Sequence, residues 1–520
     1  MTAGGDSPSS EPDRLGFLAQ YGLLAGPLLT MLDSSIVNVA AAPIATELHT
    51  GFATVGWTVS GYLLALGVGL TGTSFLARRF GTRAVYAVSM IGFTLASAGC
   101  AAAPTIEALI TARVLQGLLG APLVPLAMSM LLGGRGSARS ISPAAGMMLF
   151  LAPALGPTLG GGLIALGGWR TVFLINVPVG LVAVLAARRI PAHLTPGRAP
   201  IAPFDLRGLV LLAAGLTGVL FGASQGGTSG WSSPVSWATL TGGVLLLAGY
   251  TAWAFHFPHP ILDLALLRRR IPTLALLLSA LASVVTFAAV FLLPVFVQSV
   301  QGHSAAATGL ALLPQGIVTG LGTMLGRSLL TRISIRTTVV AGFGILTVAS
   351  LGLFAIDAHT SLAVTATILT GRAAAIGMVI TPLLYAITST LDTDQLADAN
   401  SLFNIWQRIA GSLGIGLIAA LFTTQTHTHG PVPALHTTAL LLTAIAAAAA
   451  LAATLLPNQR IDADPVAQPT TSELPVGAGT LRPCQPVRVI DLHPPPGGSI
   501  PNERLRETRS RGEGPVLPQL

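Results

Sequence analysis

The sequence predicts an all-α integral membrane protein with fourteen transmembrane helices, and three observations carry that prediction. Apolar runs recur throughout residues 15–456, each near the roughly 20 residues that a bilayer-spanning helix needs. Charged residues make up 9% of the 520 residues, too few to cover a soluble protein of this size, while hydrophobic residues make up 52% and the mean hydropathy is +0.73. The breaks between apolar runs alternate between arginine-rich and nearly arginine-free, as the positive-inside rule demands of a polytopic chain.

The spans are expected at 15–42, 53–77, 83–103, 106–132, 141–165, 171–189, 207–225, 235–256, 272–298, 305–326, 337–356, 361–386, 399–423 and 436–456, separated by Pro, Gly and polar clusters. All 27 basic residues are arginine. With the N-terminus in the cytoplasm, Arg14, Arg78, Arg79, Arg83, Arg135, Arg139, Arg188, Arg189, Arg198, Arg207, Arg268, Arg269, Arg270, Arg327, Arg332 and Arg336 fall inside, and Arg170 alone falls in an outer loop. An even span count then returns the C-terminus to the cytoplasm. The net charge of +8 is read as anchoring to anionic lipid headgroups, not as nucleic-acid binding.

The first fourteen residues lack the pattern of a cleaved signal peptide, so the first span is expected to serve as its own insertion signal. A short inner loop with two arginines four apart occurs after span two (Arg79 and Arg83) and again after span ten (Arg332 and Arg336). Spans four and twelve each carry an arginine, Arg113 and Arg372. These repeats predict a duplicated six-span unit, the plan many secondary transporters use to alternate access around a midplane site. The expected organisation is a cytoplasmic tail at 1–14, a six-helix half at 15–190, a linker with two extra helices at 191–267, a second six-helix half at 268–456, and a disordered cytoplasmic tail at 457–520.

Several stretches carry chemistry. In span one, LDSSIVNVAAAPI (Leu32–Ile44) contains Asp33, the one acid placed well inside a span. An ionised carboxylate in hydrocarbon costs on the order of 3 kcal/mol, which makes it a functional candidate. A carboxyl group within a span is what a proton carrier requires. In span four, RVLQGLLGAP (Arg113–Pro122) supplies Arg113 and Gln116. Span one runs outward and span four inward, so at a rise of 1.5 Å per residue Asp33 and Arg113 reach similar depth. They read either as a pair that opens and closes with conformation, or as a permanent ion pair that fixes packing; Gln116 is placed to hydrogen-bond both. In span five, LAPALGPTLGGGL (Leu151–Leu163) offers small residues for close helix contact and a proline that bends the span.

These stretches resemble the fourteen-span drug:proton antiporters of the EmrB/QacA type within the major facilitator superfamily, over about residues 15–456. WRTVFLINVPVG (Trp169–Gly180), FDLRGLV (Phe204–Val210) and HPILDLALLRRR (His259–Arg270) are similar to that branch's most specific segments, and are read as marks of lineage. The resemblance implies a proton-coupling role for Asp33 and Arg113, substrate binding or gating for Asn38 and Gln116, and a conformational role for Gly81, Arg83, Gly156, Pro157, Gly160 and Gly161. In the loop after span two, SFLARRFGTR places Arg78 where the family has an aspartate, so the latch that acid implies must be rebuilt or looser.

One acid, Asp33, shares the bundle with three arginines, Arg113, Arg372 and Arg408. This positive surplus points to a neutral or anionic organic substrate, with Arg372 as the substrate-facing cation and Arg408 either binding substrate or reaching for the interface. The expected function is proton-driven efflux of a drug, antibiotic or secondary metabolite by a monomer in the cell membrane, with substrate, protons and lipid as partners. Uptake by symport on the same fold is the alternative, and a polytopic membrane enzyme a remoter one. Neither metal nor cofactor is expected: the histidines at 427, 429 and 436 read as solvated, and the cysteines, Cys100 and Cys484, suit neither a disulfide nor a metal site.

Overall fold

In a computed structural model, residues 17–132, 143–188, 203–258, 260–262, 264–391 and 396–460 are described. The expected N-terminal tail, the C-terminal tail beyond residue 460, the loop arginines Arg135, Arg139, Arg189 and Arg198, and Cys484 lie outside those residues. Among the described residues the regular structure is helical: α1 Phe17–Glu47, α2 Phe52–Phe80, α3 Thr82–Ala102, α4 Ile106–Gly120, α5 Leu123–Leu132, α6 Pro143–Gly167, α7 Arg170–Leu174, α8 Asn176–Ala187, α9 Leu206–Ser229, α10 Pro234–Ala254, α11 Arg270–Ser299, α12 Ala305–Leu330, α13 Ile335–Leu351, α14 Leu362–Thr388, α15 Leu396–His429 and α16 Pro431–Ala453. Thirteen stretches are long and apolar enough to cross a bilayer, and the 25-residue α6 supplies a fourteenth.

Two spans are broken into pairs of helices. Span four divides into α4 and α5 at Ala121–Pro122, where proline has no N–H to give the preceding turn. Span six divides into α7 and α8 at Ile175, which still has helical dihedrals. Several helices outrun the expected spans, α1 to Glu47 and α15 to His429, because hydropathy marks only the apolar stretch and the backbone ladder continues beyond it. Side-chain caps set other starts. Asp205, Ser304, Ser334 and Ser361 accept from the backbone N–H three residues on, at the heads of α9, α12, α13 and α14.

One buried core gathers α1 to α8 around Leu23, Val37, Tyr62, Phe93 and Phe173. A second gathers α9 to α16 around Leu278, Phe296, Phe343, Val379 and Leu442. The outward faces are apolar as well: Leu95, Val182, Leu245 and Val348 are exposed, as suits a surface solvated by lipid. The extra pair, α9 and α10, forms a glycine-lined hairpin in which Gly218 meets Gly243 and Gly222 meets Leu240. α9 docks on α15 and α2, and α10 stays at the periphery.

The repeated arginine loops do the same work in each half. Arg83 donates to the carbonyl of Arg188 at the end of α8 (2.8 Å), and Arg336 donates to the carbonyl of Leu456 just past α16 (2.7 Å). Each thus caps the open carbonyl end of the last helix of its own half, where a cation is favoured. The α2–α3 corner turns on Gly81, whose φ of +90° suits a residue without Cβ. At the other end, Arg170 forms an ion pair with Glu47, donates to the Ala103 carbonyl and stacks on Trp169.

The cores are joined away from the arginine-rich loops. Ser412 Oγ donates to the Ser60 carbonyl (2.7 Å), Thr158 Oγ1 to Gly309 (2.9 Å) and Gln298 Nε2 to Val39 (3.0 Å). The span-five motif lies in this closure. Gly156 and Gly160 press on Ser35 and Ile36 of α1, Gly161 presses on Ala305 and Ala306 of α12, and Gly309 of α12 presses back on Pro157. A Cβ at Gly309 would collide with the Pro157 carbonyl, whereas one at Gly344 on α13 meets nothing within 4 Å. Gly309→Val should therefore lower the melting temperature of the purified protein by several degrees, overpacking costing about 1–3 kcal/mol, while Gly344→Val leaves it unchanged or raises it.

Candidate functional site

Five spans converge on one carboxylate. Asp33 on α1 is fully buried, and so is Arg113 on α4; Arg113 Nη1 donates to Asp33 Oδ2 at 2.5 Å. The other oxygen, Oδ1, accepts from Gln116 Nε2 (3.0 Å) and Asn176 Nδ2 (2.8 Å). Gln116 Nε2 also donates to Ser97 Oγ on α3 (2.7 Å), and its Oε1 accepts from Arg113 (2.6 Å). Arg113 Nε donates to the Thr58 carbonyl of α2 (2.8 Å), and its guanidinium lies over the Tyr62 ring, 3.9 Å from the centroid. The depth match between Asp33 and Arg113 thus becomes a direct contact, with Gln116 bridging both.

The network is nearly but not wholly satisfied. Arg113 Nη2 and the Tyr62 hydroxyl are buried without a hydrogen-bond partner, though the guanidinium gains from the aromatic face beneath it. A buried pair of this kind is held by its dipoles. Removing one partner leaves an uncompensated charge in oil, at a cost of about 3–5 kcal/mol.

Beside the pair opens a cavity of about 760 Å³, within the range of pockets that hold drug-sized molecules. It lies between α1, α2, α5 and α15 and runs to Arg78, Phe204 and Asp205 at the arginine-rich end. Its wall comes within one helical turn of the network on three helices at once. Thr30 precedes Asp33 on α1, Leu66 follows Tyr62 on α2, and Gly120 follows Gln116 on α4; one turn is about 5.4 Å. Asp33 is therefore sealed from the cavity but near it.

The remaining sequence candidates disperse. Asn38 turns back on its own helix and donates to the carbonyls of Ser34 and Ser35, so it does not line the cavity. Arg372, expected to face substrate, is instead buried inside the second core, where it donates to Ser350 Oγ and to the Val285 carbonyl. Arg408 on α15 does line the cavity, as does Arg78 at the mouth. Gly156, Pro157, Gly160 and Gly161 belong to the α1–α6–α12 closure, and Gly81 and Arg83 to the α2–α3 corner. His436 donates to the Ile356 carbonyl (3.0 Å).

Asn176 is a member of the Asp33 network that sequence reasoning misses. It stands in a segment that reads only as a mark of lineage, yet it is an amide within an apolar span, the same signal that exposes Asp33. Tyr62 and Ser97 give no such signal, because hydroxyl residues are common in membrane helices.

Fold and site together define a polytopic membrane transporter, not an enzyme. Residues 23–415 match the family model of the Major Facilitator Superfamily, and the chain belongs to that superfamily. It is 34% identical over 429 residues to a multidrug resistance protein B homolog of Mycobacterium tuberculosis, covering 80% of this chain and 78% of the relative. It is 30% identical over 410 residues to the tetracenomycin C resistance and export protein of Streptomyces glaucescens, covering 77% and 74%. The solved structure of the nucleoside transporter NupG shares the fold, with a TM-score of 0.61 and 13% identity over 84% of this chain and 99% of that one.

The pair's energetics can be read directly. Arg113→Gln should lower the melting temperature of the purified protein sharply, leaving Asp33 without its counterion. Adding Asp33→Asn should recover much of the loss, with a coupling energy of about 1.5 kcal/mol or more in the double-mutant cycle.

Proposed function

We propose that this protein is a proton-driven exporter of a small organic compound, neutral or anionic, and that Asp33 is its proton-carrying group. The observation that supports this reading is the sealed Asp33–Arg113 pair one helical turn from an open cavity. Protonating Asp33 removes the charge that Arg113 requires. The pair then loosens, and the five spans that meet on it lose their common anchor. A carrier that takes a proton on one side and releases it on the other can in this way link protonation to conformation.

The arginine-rich end is assigned to the cytoplasm by the positive-inside rule, which makes the cavity open inward and the α1–α6–α12 closure the outer gate. In this state the pair is closed and ionised, ready for substrate. Rocking of the two halves about the site would open the outer side, where Asp33 picks up its proton as substrate leaves. The protein is read as a monomer in the bacterial cell membrane, with both termini cytoplasmic. The two resistance relatives support efflux over uptake, and the tight glycine contacts at the closure suit a carrier that must not leak protons when empty.

The test uses everted membrane vesicles from a host lacking its own exporters, with tetracenomycin C among a panel of antibiotics as cargo. Wild type should accumulate a substrate when a proton gradient is imposed, and Asp33→Asn should abolish the gradient-driven accumulation while leaving the protein folded and inserted. Strong transport of ethidium-like dications by wild type, lost in Asp33→Asn, would contradict the charge reading. Gradient-driven transport unchanged in Asp33→Asn would remove Asp33 from the mechanism.

A further inference from the structure

The cavity holds an asymmetry of hydrogen-bonding groups that specifies what it can bind. Many of its lining residues are polar, and several of their hydroxyl and amide protons are committed to their own helices. Thr30 Oγ1 donates to the carbonyls of Gly26 and Pro27, Thr71 Oγ1 to Val68, Thr73 Oγ1 to Gly69, and the Asn404 amide to Asn400. Arg408 differs. Among the described residues it makes no hydrogen bond and no ion pair, although it is partly buried in the wall. It packs beside Gly67 of α2, where an added Cβ would lie 3.4 Å from its own Cβ. A guanidinium offers five N–H donors in a planar fork and no acceptor.

Among the described residues no carboxylate pairs with it. Asp33 is fully buried and committed to Arg113, Gln116 and Asn176. Asp205 lies at the mouth and is engaged as the cap of α9: its Oδ1 accepts from Gly208 N (2.8 Å) and from Trp253 Nε1 (2.9 Å), though its Oδ2 is unpartnered. Arg78 adds a second positive charge at that mouth. The rest of the wall is apolar: Leu66, Leu70, Val124 and Met128 along the depth, and the Phe75–Phe204 ring pair, 4.7 Å between centroids, near the opening.

We infer that the cavity is a binding site for an amphipathic organic anion, its carboxylate docked on Arg408 and its apolar body laid along α2 and α5. A carboxylate matches the guanidinium fork with two parallel hydrogen bonds. A cation would meet Arg408 with repulsion, and a neutral ligand would give the fork a weaker acceptor and leave its charge uncompensated. This inference deepens the export reading by assigning the substrate class and the residue that selects it. It also reverses the expected roles of the two second-half arginines: Arg408 meets the substrate, while Arg372 holds the core.

The experiment measures binding without any gradient. Full-length protein in lipid nanodiscs is titrated with 1-pyrenebutyrate and with its uncharged isostere 1-pyrenebutyramide, following pyrene fluorescence. Wild type should bind the carboxylate more tightly than the amide by about tenfold or more, the difference a charge-assisted fork supplies. Arg408→Gln should erase that preference by weakening the carboxylate alone, and Arg408→Lys, which keeps the charge but not the fork, should fall between. Equal binding of the two probes to wild type, no measurable carboxylate binding, or an Arg408→Gln variant that loses both probes equally would each overturn the assignment. The titration needs no gradient and the transport assay needs no pyrene probe, so the two readings separate: carboxylate selectivity that depends on Arg408 can hold while gradient-driven transport proves independent of Asp33, and the reverse.

Discussion

A single buried charge pair organises the first half of this protein. Hydrocarbon offers neither Asp33 nor Arg113 any water, so every lone pair and nearly every N–H must find a partner within the bundle. That demand brings α1, α2, α3, α4 and α8 to one point: Thr58 lends a carbonyl, Ser97 holds Gln116, and Asn176 meets the second carboxylate oxygen. The packing around them follows. Gly117 must lack a side chain because the Tyr62 carbonyl occupies its place, and only that close approach sets the Tyr62 ring under the guanidinium. A substitution at any of these positions therefore acts on the ion pair before it acts on its own neighbours.

The second half repeats the scaffold without the acid. Arg372 occupies on α14 the place that Arg113 holds on α4, and it too reaches the first span of its half; its other partner stands on the third, where Arg113 finds one on the second. There it finds a hydroxyl and a backbone carbonyl. Neither can take up a proton near neutrality, so this arginine keeps its partners whatever the proton gradient does. The two halves thus share the architecture, down to the matched caps made by Arg83 and Arg336, while the buried acid–arginine pair belongs to the first. The other half contributes a cation to the cavity from a different helix, α15.

This division explains what can be read from the sequence. Span number, the repeated loops and the depth of Asp33 against Arg113 all depend on position along the helix axis, which hydropathy and the 1.5 Å rise supply. Which way a residue faces around that axis is another matter. In a bundle that is apolar both inside and out, opposite sides of a helix differ little in polarity, and a lone arginine gives no sign of facing the core or the cavity. Hence depth alone ranks Arg372 ahead of Arg408 in the sequence, and only packing shows which of them faces the cavity. Asn176 is hidden for a related reason: its segment is so close to a family pattern that the amide within it reads as ancestry. Arg78 remains the plainest departure, and its position at the cavity mouth puts a positive charge where an approaching anion would first meet the protein.

An anionic cargo changes the energetics of exchange. A proton entering a cell as a monoanion leaves carries two elementary charges in the favourable direction, about 4.6 kcal/mol per 100 mV, or roughly three orders of magnitude in concentration ratio. Symport of the same pair would be electroneutral and would draw nothing from the potential. Yet the electric field at the site works against exchange, since a proton on Asp33 leaves Arg113 unpaired and makes the neighbourhood more attractive to an anion. Tyr62, flanked by Arg113 and Arg408, lies where the two loads would sense each other. Exclusive occupancy must therefore be imposed by shape. The parts able to do that are the glycine faces that bind α6 to α1 and α12, because they permit few arrangements of the halves and tolerate nothing between them. On the proposed reading the gradient would supply the driving force, and the close-packed backbones would determine the direction in which it is used.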